Sequence, residues 1–199
     1  MVATIQVNKQ SIKRLLESGK EQMFLIPEYQ RPYSWTENET KTLFYDLLEF
    51  TENESKKNSE VEGTYFLGSI VSYENEEGEQ EIIDGQQRIT SLFLLLRAIY
   101  TKLTSYENKT VEQENFIRQI EPALWKQAKL TGEVDYTSVL ITSRVIDNEG
   151  NKILQNILET GVADPEATDN YSKNYILFQR LFDKLCELSP TLMLEFIYY

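Results

Sequence analysis

Apolar positions recur at helical spacing in "TENETKTLFYDLLEF" (36–50), where Leu43, Phe44, Leu47 and Leu48 share one face. Thr36 and Glu39 stand there in capping-box spacing, so the pattern predicts a helix. "NKQSIKRLLESGK" (8–20) puts Ile12, Leu15 and Leu16 on one face and ends at Gly19, which predicts a short amphipathic helix. "FLIP" (24–27) reads as a short buried strand stopped by proline, and the polar, charged "TENESKKNSEVEG" (51–63) reads as a loop. "TYFLGSIVSYE" (64–74) and "QEIID" (80–84) are β-rich runs joined by "NEEGE", a hairpin signature. In the first run Tyr65, Leu67 and Val71 share one face and Phe66 and Ile70 the other; all are expected in the core. After Gly85 the period changes. Ile89, Leu92, Phe93 and Leu96 predict a helix starting near residue 86, and its apolar residues on nearly every side between 92 and 96 predict burial at the centre of the domain. From residue 104 the pattern is mostly helical, in "VEQENFIRQIEPALW", "NKILQNILETG" and "NYSKNYILFQRLFDKLCELS", with one strand at "SVLITSRVI" (138–146). The fold class predicted is α+β.

Composition narrows the classes. With 199 residues, 41% apolar and 12% aromatic, the chain can bury a core and is not of the disordered type. No apolar run approaches the roughly 18 residues of a spanning helix, and "MVATIQVNKQ" lacks the pattern of a secretion signal. One cysteine, Cys186, among Leu181, Phe182, Leu185 and Leu188, is expected to be a small buried hydrophobe in a reducing cytoplasm. The apolar end "TLMLEFIYY" is expected to belong to a longer protein.

Histidine is absent, which excludes Ser-His-Asp and Cys-His nucleophile systems, HExxH zinc sites and His-dependent nucleases. The net charge of −12 opposes a general grip on nucleic acid. That charge is concentrated: residues 36–82 hold three basic and thirteen acidic side chains. The two most distinctive stretches lie just outside that segment.

In "EIIDGQQRITSLFLLL" (81–96) an apolar strand ends at Asp84-Gly85, and Gln86, Gln87 and Arg88 open the helix. A first helical turn carries free backbone N–H groups and the positive dipole end, an anion site. Gly85 permits a tight turn, Arg88 suits phosphate through its planar fork, and Asp84 could hold a metal ion or orient a water. The alternative is that Asp84 caps the helix while the amides and the arginine face solvent. In "IPEYQRPYSW" (26–35), prolines flank Tyr29, Gln30 and Arg31, and Tyr33 and Trp35 follow. A stiff aromatic loop with a guanidinium suits a stacked base or nucleotide; the alternative is a packed loop whose aromatics fill the core. No GxxxxGK[ST] or GxGxxG is present, so a P-loop or Rossmann site is not supported. Gly68 in "FLGSIV" marks either a bulge or a close approach to the sheet.

In order and spacing, "IPEYQRPYSW", "YFLGSIV" and "IIDGQQRITSLFLLL" resemble the N-terminal domain of GmrSD-type restriction endonucleases, closely over residues 8–103 and more loosely beyond. The resemblance implies a small ParB/sulfiredoxin-like mixed sheet over residues 1–103 with a buried helix after the DGQQR turn, and a helical extension over 104–199 packed on it. It implies a bacterial defence protein acting on modified or foreign DNA, in which this domain binds and hydrolyses an NTP with Mg²⁺. A separate HNH-like nuclease domain or partner subunit does the cutting, so this chain is not expected to cut. Asp84, Gly85, Gln86, Gln87 and Arg88 match the motif tied to hydrolysis. On the enzyme reading Asp84, Gln86, Gln87 and Arg88 are the catalytic candidates, Gly85, Arg88, Gln30 and Arg31 hold the nucleotide phosphates, and Asp84, with Glu28 second, holds the Mg²⁺. The segment matching Tyr29, Gln30 and Arg31 is implied in sensing modified DNA, and Tyr29, Tyr33 and Trp35 are the aromatic candidates for sensing DNA or a base. The competing function is a non-catalytic DNA-binding or modification-sensing module. If both stretches form one site, strand 24–27 must lie beside strand 80–84, Arg31 and Arg88 must line one cleft with Asp84 at its edge, and loop 51–63 must project away.

Overall fold

The computed structural model describes residues 23–57, 63, 65–146 and 148–199. The predicted helix over 8–20 lies outside these residues. At the centre of a four-stranded mixed sheet is β1 (Phe24–Ile26), three residues long and buried throughout. Its unbroken apolar run reflects burial on both faces. β1 runs parallel to β3 (Gln80–Asp84) on one side, with Phe24 opposite Gln80, and parallel to β6 (Ile141–Ser143) on the other. β2 (Val71–Glu74) pairs antiparallel with β3 at the sheet edge, giving the order β2-β3-β1-β6. The predicted neighbourhood of strands 24–27 and 80–84 is therefore present.

α1 (Glu37–Ser55) opens with the Thr36/Glu39 capping box. It runs one turn beyond the predicted end, into the segment read as a loop. Its polar residues there find partners: Thr51 Oγ1 donates to the Leu47 carbonyl at 2.9 Å, and Ser55 Oγ donates to Glu195 Oε2 at 2.7 Å. Glu54 accepts the Gly63 amide at 2.6 Å and is paired with Lys57.

The β-run predicted over 64–74 narrows to β2. Gly68 adopts φ 100, which breaks the extended path, and residues 65–70 have no regular pairing. Phe66 is consequently 76% exposed, and Tyr65 and Val71 are exposed rather than in the core, while Leu67 and Ile70 pack against it.

α2 (Gln86–Ser105) is the central helix, with Leu92, Phe93, Leu94 and Leu95 all buried as predicted. Phe93 meets Phe24 edge-on at 6.1 Å, which seats the helix on β1. α3 (Val111–Leu124), β4 (Trp125–Gln127) and β5 (Val134–Val139) follow, the last two forming a separate antiparallel pair. The single strand predicted over 138–146 is thus two strands in two sheets, divided at Leu140. The Leu140 N–H donates to the Leu124 carbonyl at 2.9 Å and its carbonyl accepts the Phe24 N–H at 2.8 Å. α4 (Asn148–Thr160), α5 (Asn170–Leu188) and α6 (Pro190–Tyr198) complete the chain. One continuous core joins β1, β3 and α2 to Phe178 and Phe182 of α5 and Met193 and Phe196 of α6. Cys186 is half-buried against that core, where burial raises its thiol pKa. No helix among the described residues is long and apolar enough to cross a membrane.

Candidate functional site

The turn from β3 into α2 requires glycine twice over. Gly85 sits at φ 87, a conformation costly for residues with a side chain, and a Cβ there would lie 2.9 Å from the Ser69 carbonyl oxygen. α2 then starts at Gln86 with no side-chain cap and no acid in its first turn. α1 and α3, by contrast, begin with complete capping boxes. Among the described residues no N-cap side chain satisfies the free N–H groups at the positive dipole end of α2.

Because β1 and β3 are parallel neighbours, both leave the sheet at the same end. The loop after Ile26 therefore arrives beside the Gly85 turn. Gln30 Nε2 donates to the Ile83 carbonyl at 2.7 Å, and Tyr29 OH donates to Glu81 Oε1 at 2.9 Å. Gln87 fastens the other end: its Oε1 accepts the Ser34 and Trp35 amides at 2.7 and 3.2 Å, and its Nε2 donates to the Pro32 carbonyl at 3.1 Å. The Tyr33 ring is buried, stacked on Tyr171 with centroids 4.8 Å apart.

Between the two segments lies a cleft of about 430 Å³ lined by Gln30, Arg31, Trp35 and the five residues Asp84–Arg88. The two arginines predicted to converge do so. Arg88 Nη1 donates to the Ser69 carbonyl at 2.7 Å, and its guanidinium lies against Gly68, where a Cβ would come within 2.7 Å of Cζ. The close-approach reading of Gly68 is the one realised. Among the described residues neither Arg31 nor Arg88 forms an ion pair with an acid. Asp84, exposed, is the sole carboxylate in the lining. Two guanidinium groups and a helix N-terminus against one carboxylate make a cleft electrostatically suited to an anion.

Several predicted site residues take other positions. Tyr33, read as a base sensor, is committed to the core by its stack and hydroxyl bonds. Gln87, read as positioning water or phosphate, is spent on the 32–35 loop, and the Gln30 amide nitrogen on β3. Glu28 is exposed and Tyr29 is turned to Glu81; neither lines the cleft. Gln86 does line it, only 7% exposed, and its side chain has no hydrogen-bond partner among the described residues. The described acids of 51–57 also lie outside the lining. No group of three or more His, Cys, Asp or Glu side chains among the described residues could hold a metal ion by itself.

The residues that sequence reasoning missed are Ser69, Ser91 and Asn174. Ser69 holds Arg88 by a carbonyl, which no side-chain pattern reveals. Asn174 lies on the apolar stripe Tyr171, Tyr175, Phe178 of α5 and is buried among them. A polar residue on a core-facing stripe is the signal that could have exposed it.

No curated protein matches the chain. Residues 12–199 match the family described as GmrSD restriction endonuclease, N-terminal domain. With almost the whole chain matched and the two motif segments meeting in one cleft, the protein belongs to the GmrSD restriction endonuclease N-terminal domain family and is a component of a restriction system.

Proposed function

We propose that the cleft binds a nucleoside triphosphate and hydrolyses it as the regulatory step of a restriction system directed at modified or foreign DNA. The carrying observation is the convergence of Arg31 and Arg88, both without acidic partners among the described residues, on the uncapped start of α2. A polyphosphate satisfies all three, and charge-assisted bonds from both guanidinium groups would neutralise the charge that develops in phosphoryl transfer.

Asp84 fits a Mg²⁺ ion of the usual kind, held by one or two carboxylates plus phosphate oxygens and water. Its carboxylate has no hydrogen bond or ion pair to another described residue and lies in the same lining as both arginines. When bound, Mg²⁺ would supply further neutralisation of phosphate charge. Gln86, whose side chain has no hydrogen bond among the described residues, is left to orient a water, and half-buried Trp35 in the same lining suits contact with a base. Cutting is not assigned to this chain, because HNH-type chemistry uses histidine and the sequence has none.

A second reading is that the cleft takes a DNA phosphate as a sensing module. Tyr29, 64% exposed just outside the cleft, favours it, while the net charge of −12 opposes it. Thermal denaturation with Mg²⁺ and each NTP, or with modified duplex DNA, separates the two. Stabilisation by NTP, with phosphate release lost in Arg31→Ala, supports the first reading. Stabilisation by modified DNA alone replaces it with the second.

A further inference from the structure

The loop that carries Arg31 and Trp35 is gripped from two sides by helices far apart in sequence. On α2, Gln87 takes the Trp35 N–H. On α5, Asn174 Nδ2 donates to the Trp35 carbonyl at 2.7 Å and to Tyr33 OH at 3.0 Å. A carbonyl can only accept, so the orientation of the Asn174 amide is fixed. Tyr33 OH, having accepted from Asn174, has one hydrogen left to give, and Ser91 Oγ lies 2.7 Å away. Ser91 in turn donates to the Gln87 carbonyl at 2.9 Å. Burial raises the Tyr33 phenol pKa and keeps that hydrogen in place. The result is a chain of buried hydrogen bonds running from Asn174 through Tyr33 and Ser91 to Gln87.

We propose that Asn174 and Tyr171 are positioning residues through which α5 holds the Arg31 loop in place over the cleft. They stand one turn apart on α5 and hold Tyr33 by its hydroxyl and its ring, respectively. A displacement of α5 breaks the grip on the Trp35 peptide and releases the loop that bears Arg31. By linkage, an anion that fixes the loop also strengthens the hold of α5 on it, and loss of that hold weakens anion binding by the same factor. Asn174 is almost fully buried, and among the described residues its side chain bonds to the site loop. The consequence for ligand affinity rests on the anion-binding reading above; the grip on the loop does not.

The test compares wild type with Tyr33→Phe, which removes one hydroxyl and keeps the stack, and with Asn174→Leu. Phe182→Leu, a core change on the same helix, serves as the control for general destabilisation. Amide hydrogen exchange without ligand reads the loop, and calorimetry with Mg²⁺ and inorganic triphosphate reads the cleft. Both chain variants should raise exchange in peptide 28–36 about tenfold, the effect of losing one buried hydrogen bond. They should weaken triphosphate binding by a similar factor, whereas Phe182→Leu changes neither. Unchanged exchange in 28–36 in both chain variants, or an equal rise in Phe182→Leu, overturns the coupling. If wild type takes no triphosphate, the nucleotide reading falls while the exchange result still decides the coupling.

Discussion

Gly68 and Arg88 are in such close contact that a methyl group on Gly68 would sit 2.7 Å from Arg88 Cζ. The two glycines of the site therefore respond differently to alanine. At Gly68 the obstructed group is the end of a flexible side chain, so Gly68→Ala should displace Arg88. Fold stability should fall by about 1 kcal/mol for the positive φ, while anion binding should fall by about 1.5–3 kcal/mol. At Gly85 the obstacle is the Ser69 backbone, which cannot swing away. Gly85→Ala should cost about 1–3 kcal/mol of folding free energy. Urea denaturation beside phosphate titration separates the two.

The two arginines should also part company. Arg31 is exposed and forms no hydrogen bond or ion pair with the described residues, so Arg31→Ala should change stability by less than about 0.5 kcal/mol. Arg88→Ala loses the bond to the Ser69 carbonyl as well and should cost about 1 kcal/mol. Each should weaken triphosphate binding by about 1.5–3 kcal/mol. A large loss of stability in Arg31→Ala would show that it holds the fold and not a ligand.

Adjacent glutamines of the motif have opposite duties. Gln87→Ala strips the Ser34 and Trp35 amides and the Pro32 carbonyl of their partner. It should destabilise by about 1–3 kcal/mol. Gln86→Ala removes a side chain with no protein partner and should leave the melting temperature nearly unchanged while slowing phosphate release. Equal melting temperatures for the two variants would contradict this division.

Tyr73 provides a pH test of the exposed sheet face. The neighbouring Glu81 carboxylate, by hydrogen bonding first, raises the Tyr73 phenol pKa to about 12. A tyrosine pKa raised by folding stabilises the native state below the unfolded value of about 10, and that contribution disappears as pH climbs through 12. Stability should therefore decline across pH 10–12, and Glu81→Gln should move Tyr73 ionisation, followed by ultraviolet absorbance, back toward 10.

The neighbourhood of β1 and β3 was legible because both are short runs ending in a turn motif, and a ligand shared by the two motifs would demand that their ends meet; their parallel direction was not read from the sequence. The α+β class and the burial of α2 followed from periodicity. Tyr33 and Gln87 brace the loop in this structure, which the sequence could not show: a motif marks which residues are special, but not whether they face a ligand or brace the loop that does. The β-rich 64–70 was misread because Gly68 trades strand pairing for contact with Arg88. β4 and α6 escaped notice, the first being three residues long and the second a nine-residue apolar end.

β1 is flanked by a strand from residue 80 onward and by one from residue 141 onward, and its exit loop is held from residue 174. Synthesis runs from the N-terminus, so the two motifs emerge from the ribosome long before the elements that fix them. A nascent chain halted after α2 would carry the complete Asp84–Arg88 sequence with one side of β1 unpaired and the Trp35 carbonyl unheld. A translation product truncated there would display the motif without the α5 contact that holds the cleft's loop.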